Sequence, residues 1–86
     1  MKKKPTIKDA FRIILNTYGE STAADLHYRF RLAQESLTQE TSHLNYLKSH
    51  PGSTVAELDT QERIVAEAQA RYDEILKRIQ SISQLS

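Results

Sequence analysis

Apolar residues recur along most of this chain at spacings of three and four, the mark of helices that bury one face. In a first segment, Ile7, Ala10, Phe11, Ile14 and Tyr18 fall on a common face. In a second, Leu26, Phe30, Ala33, Leu37, Glu40, Leu44 and Leu47 alternate steps of four and three. That is the a/d seam of a coiled coil, with a polar break at Glu40. In a third, Leu58, Gln61, Val65, Ala68, Tyr72, Ile75, Ile79 and Ile82 do the same, with a polar break at Gln61. Little of the chain reads as strand. The breakers are few: Pro5, Gly19 and the pair Pro51-Gly52. Thr6, with Asp9 three residues on, is an N-cap candidate, as is Ser53 or Thr54 before Glu57. Lys77 and Arg78 complement the dipole at the other end of the third segment. These signals predict helices over about residues 6–18, 21–49 and 53–85, after a mobile basic tail over residues 1–5.

The second and third seams match each other. Folding the chain back at Pro51-Gly52 pairs Leu47 with Val55, Leu44 with Leu58, Glu40 with Gln61 and Leu37 with Val65. It goes on to pair Ala33 with Ala68, Phe30 with Tyr72, Leu26 with Ile75 and Ala23 with Ile79. Polar meets polar, small meets small and aromatic meets aromatic. The pattern predicts an all-α fold in which a short N-terminal helix packs on a long antiparallel two-helix hairpin, a coiled-coil-like three-helix arrangement in one domain over residues 6–86.

Length then sets coverage. A second helix of about 28 residues spans roughly 42 Å, and a first helix of about 13 only about 20 Å. The first helix is therefore expected to cover the open end of the hairpin and leave the distal half bare. Leu44, Tyr46, Leu47, Val55 and Ile64 are the candidate face there, for a partner or for a second copy completing a four-helix bundle. The Glu40–Gln61 layer is a candidate register pin, in which a side-chain hydrogen bond penalises sliding by a heptad.

Composition narrows the function classes. With 86 residues the chain makes one domain with a thin core, and the absence of cysteine removes disulfides, thiolate metal sites and thiol catalysis. No unbroken apolar run exceeds Ile13-Ile14-Leu15 in length, so neither a membrane span nor a signal-peptide core is expected. A cytoplasmic location follows as the default. The formal net charge of +1 makes no global electrostatic case for nucleic acid. Lys2, Lys3 and Lys4, with Arg29 and Arg31, are a candidate basic patch for phosphate or an acidic surface.

Catalytic signals are missing. His27, His43 and His50 have no partner at metal-ligand spacing, and the serines match no nucleophile elbow. Two glycines do not build a phosphate cradle of the usual kind. No catalytic residue, metal, cofactor or small-molecule substrate is expected, and the chain is read as a non-enzyme. The fragment Glu57-Leu58-Asp59 resembles part of the S-Q-E-L-D stretch of small helical-hairpin phosphatases that act on sporulation response regulators. That likeness lacks the preceding Ser-Gln.

A reading of another class rests on Ile13 to Gly19, Thr22 to Leu26 and Leu32-Ala33-Gln34. This stretch resembles winged-helix and helix-turn-helix regulators. The resemblance implies a DNA-binding face with Gln34, Ser36, Gln39, Thr41 and Ser42, and a C-terminal dimerisation helix. Arg31 stands where that family's sharp turn takes Gly, and the seam from Leu26 to Leu47 passes through without a skip. The favoured expectation is a non-catalytic protein-interaction module: a small adaptor, inhibitor, chaperone or assembly factor, forming a homodimer or holding a protein partner.

Overall fold

The computed structural model describes residues 6–84, which form three helices and no strand. They are α1 (Ile7–Tyr18), α2 (Glu20–Ser49) and α3 (Val55–Gln84). The two long helices pack antiparallel over most of their length and α1 lies against both. The molecule is elongated, 52 Å in its longest dimension.

Local chemistry sets each boundary. Thr6 caps α1 through a full capping box: its Oγ1 accepts the Asp9 amide N–H at 3.2 Å, and the Asp9 carboxylate accepts the Thr6 N–H at 3.3 Å. Asp9 thus serves where Glu or Gln is the commoner residue. Gly19 alone separates α1 from α2. Its N–H donates to the Leu15 carbonyl at 3.1 Å, and its own carbonyl accepts from Ala23 at 3.2 Å. One residue therefore ends one helix and begins the next, at φ 96° and ψ 173°. That region is essentially closed to residues with a Cβ.

At the far end, Ser53 N–H donates to the His50 carbonyl at 3.2 Å, closing a turn around Pro51-Gly52. Proline's fixed φ suits its place there. Of the two cap candidates, Thr54 starts α3. Its Oγ1 accepts the Glu57 N–H at 3.1 Å and donates to the Glu57 carboxylate at 3.1 Å, while its carbonyl accepts the Leu58 N–H. Glu57 is thereby occupied as a capping residue. Asp59 is exposed and Leu58 half-buried, which places this acidic fragment in helix-start chemistry.

The main core sits at the open end of the hairpin. Ala10 and Ile14 of α1 meet Leu26 and Phe30 of α2 and Ile79 of α3, with Ile14 and Ile79 fully buried. Phe11, Tyr72, Ile75, Leu76 and Ile82 pack around them. The Phe30 and Tyr72 rings lie 5.5 Å apart, as the seam match predicts. Farther along, Leu44, Gln61 and Ala68 are buried between the long helices. The expected Leu47–Val55 layer does not close. Val55 is the first residue of α3 and stands 82% exposed, whereas Leu47 is half-buried. The seam ends one layer early because α2 stops at Ser49, so little of α2 remains to cover the first turn of α3.

The helix-turn-helix reading requires a break near Arg31. α2 runs unbroken from Glu20 to Ser49, so the turn that reading needs is not formed.

Gly19→Ala is expected to destabilise the protein by roughly 1–3 kcal/mol, because the strain is in the backbone. No neighbour lies within 4 Å of the added Cβ to account for such a loss by crowding. Gly52→Ala is expected to change stability by less than about 0.5 kcal/mol. Its φ is not positive, and the new Cβ would meet only the His50 ring at 3.6 Å. Urea unfolding of both variants checks the contrast. Equal losses would mean that the Gly19 conformation is not what joins α1 to α2.

Candidate interaction face

The hairpin is covered on one side only. α1 lies over one flank, where Phe11 packs edge-on against His27 at 5.1 Å and Phe30 at 6.0 Å. Between α2 and α3 a groove of about 510 Å³ opens, and none of its lining residues belongs to α1. Its floor is Ala33, Ala68 and Ile75, with Leu32 on the α2 wall. Arg29 and Ser36 stand on the α2 side, and Arg71, Glu74 and Arg78 on the α3 side. The groove exists because two alanines face each other at one layer of the seam. Small side chains fill less of the space between helix axes held 8–10 Å apart.

Exposed apolar side chains gather along the same helix. Tyr28, Leu32 and Tyr46 are 63%, 49% and 61% exposed. Tyr28 and Tyr46 are eighteen residues apart, which is five turns at 3.6 residues per turn, so they share one stripe of α2. Leu32 lies one turn from Tyr28 and reaches the groove wall. On α3, Ile64 precedes Arg71 and Arg78 at successive intervals of seven, which puts the half-buried Ile64 on the groove side as well.

The candidate self-association residues are thus dispersed. Tyr46 lies at the surface with its ring stacked on His50 at 5.4 Å, and Val55 is exposed at the tip. Leu47 and Ile64 are half-buried. Leu44 is buried within the hairpin, at 8% exposure, and is not available to a partner.

The expected basic patch is not assembled among the described residues. Arg29 and Arg31 are two positions apart, about 200° around a helix. Arg29 lines the groove, while Arg31 lines a separate hollow beside α1 with Phe11, His27 and Gln34. Each also holds an acid one turn on or back: Arg29 with Asp25 at 3.1 Å, Arg31 with Glu35 at 3.7 Å. Such exposed pairs contribute well under about 1 kcal/mol. Lys2, Lys3 and Lys4 lie outside the described residues. The arginines that do converge are Arg29, Arg71 and Arg78. Sequence reasoning missed Arg71 and Arg78, although each falls three residues after a seam position, Ala68 and Ile75, and so on one flank of it.

The polar layer forms, with a different partner. Gln61 is 5% exposed, and its Nε2 donates 2.9 Å to the backbone carbonyl of Glu40. The Glu40 carboxylate takes no part in this bond. Gln61 therefore ties α3 to the α2 backbone at one level, and any side chain at position 40 would leave the acceptor in place.

No cluster of three or more potential metal ligands occurs among the described residues, and none of their helices is long and apolar enough to cross a membrane. Comparison with known protein families, curated proteins and solved structures finds no match.

Glu40→Ala is expected to leave stability within about 0.5 kcal/mol of the parent. Gln61→Ala should cost roughly 1–3 kcal/mol, the loss of a buried hydrogen bond and of packing volume. Thermal or urea unfolding of the two variants measures this. Equal and substantial losses would return the register pin to the Glu40 side chain.

Proposed function

We propose that the chain is a non-catalytic protein-interaction module, an adaptor, inhibitor, chaperone or assembly factor, acting through the hairpin face turned away from α1. The observation that carries this reading is the one-sided coverage of the hairpin. α1 seals one flank, while the other holds a groove with an apolar floor and the exposed Leu32 on its wall; Tyr28 and Tyr46 stand exposed on the outer side of α2. Exposed apolar surface arranged along one helix face and rimmed by charge is the usual form of a protein-binding surface. The groove lining carries a single hydroxyl, Ser36, and no histidine to activate it, which favours binding over chemistry.

A second copy of the chain is the occupant assigned to the distal half, through Tyr46 and Ile64. A thin two-helix ribbon gains burial by pairing, and a fully buried Leu, Ile or Val is worth roughly 1.5–3 kcal/mol over exposure. Sedimentation velocity over a wide concentration range tests this. The parent chain is expected to sediment faster as concentration rises, and a Tyr46→Glu, Ile64→Glu variant to remain monomeric with unchanged helicity. A parent that stays monomeric at every concentration, indistinguishable from the variant, removes self-association from the proposal.

A further inference from the structure

We infer that the basal half of the uncovered face binds an acidic amphipathic helix of a partner protein. This rests on the reading of that face as an interface and adds the chemistry of its occupant. Shape comes first. The groove lies between two helices over a floor of Ala33 and Ala68, with Ile75 and Leu32 beside it, so a large apolar side chain from outside can descend between the walls. A helix presents such side chains at i, i+3, i+4 and i+7, the ridge that this kind of groove accepts. From Ala68 to Arg78 the α3 wall rises about 15 Å, a length that a helix of roughly three to four turns covers.

Charge selects among such helices. Arginines stand on both walls, Arg29 on α2, held by Asp25 at 3.1 Å, and Arg71 and Arg78 on α3; the lining carries one carboxylate, Glu74. Arg78 has no ion-pair partner among the described residues, and Glu74, one turn before it, does not pair with it. Arg71 reaches Glu67 only at 4.0 Å. These guanidinium groups are therefore disposed to take carboxylates flanking the apolar ridge of an incoming helix, which planar, forked donors bind well. Glu74, between Arg71 and Arg78 in sequence, marks a place where the occupant carries a neutral or basic residue.

The same charges weigh against a second copy in this half. Twofold pairing apposes a surface to itself, and this rim would then set arginines near arginines, which is unfavourable across an interface. A polyanion such as nucleic acid would use the arginines but not the apolar floor.

Three fluorescein-labelled peptides of about fifteen residues test the assignment against the full chain by fluorescence anisotropy. The first carries a leucine ridge flanked by glutamates. The second keeps the ridge with lysine flanks. The third scrambles the first. The first is expected to bind at least tenfold more tightly than either other peptide, with affinity falling as salt rises. An Arg71→Glu, Arg78→Glu variant should reverse the preference toward the lysine peptide. Leu32→Glu should weaken the acidic peptide by at least tenfold, and both sites are exposed enough for circular dichroism to stay unchanged. The Tyr46→Glu, Ile64→Glu variant should still bind it. Equal affinity for the glutamate and lysine peptides overturns the inference. So does a scrambled peptide that binds as well as the patterned one, since that is polyanion attraction alone. Self-association abolished by the Arg71 and Arg78 changes would make the occupant a second copy. If the parent pairs through Tyr46 and Ile64 but prefers no peptide, only this inference falls. If it neither pairs nor binds, the interface reading falls with it.

Discussion

The rest of the molecule depends on the register between α2 and α3, which unequal side-chain layers set and a buried amide ties down at one level. Gln61 donates to the Glu40 carbonyl from a site that is 5% exposed. A slip by one heptad would set this donor against the backbone carbonyl of Ala33 instead, so the bond by itself does not choose among heptads. The slip would move Phe30 from Tyr72 to Val65 and part the two alanines that form the groove floor. Leucine layers alone tolerate such sliding, because one leucine fills a gap much as another does. The unequal layers, polar, small and aromatic, do not.

Given that register, the one-residue link at Gly19 decides which side is covered. A helix twelve residues long that turns back within a single residue reaches only the open end of the hairpin. Ile14 and Ile79 are fully buried there, and Phe11 closes the flank over His27 and Phe30. The opposite flank receives nothing from α1. The asymmetry that supports an interaction function is thus a consequence of chain length and of one glycine conformation, and it requires no special residue in the groove itself.

Much of the fold was legible in the sequence because its determinants are periodic or local. The two seams, the capping box at Thr6 and Asp9, and the turn at Pro51-Gly52 each follow from spacing or from a short-range hydrogen bond. Periodicity sets Val55 in the seam, whereas the structure leaves it exposed, because the pattern continues past the point where the partner helix ends. Spacing sets Glu40 opposite Gln61, but a sequence shows side chains and not backbone acceptors, and the bond is made by the Glu40 carbonyl. The groove was less legible. Arg29 and Arg31 are neighbours in sequence and diverge by most of a half-turn, while Arg71 and Arg78 join Arg29 only through the hairpin. Leu32 sits beside a seam position, and its exposure depends on which flank α1 covers. The sequence pattern does not specify that choice.

The nuclear Overhauser spectrum of the aromatic side chains tests the central claim, that one register organises the hairpin and its two unlike faces. Phe30 should show cross-peaks to Tyr72 and to Phe11, whose rings lie 5.5 and 6.0 Å from it. The Ala33 and Ala68 methyl groups should be close to each other and remote from every α1 proton. Cross-peaks from Phe30 to Val65 in place of Tyr72, or from α1 to the alanine layer, would contradict the register or the open face.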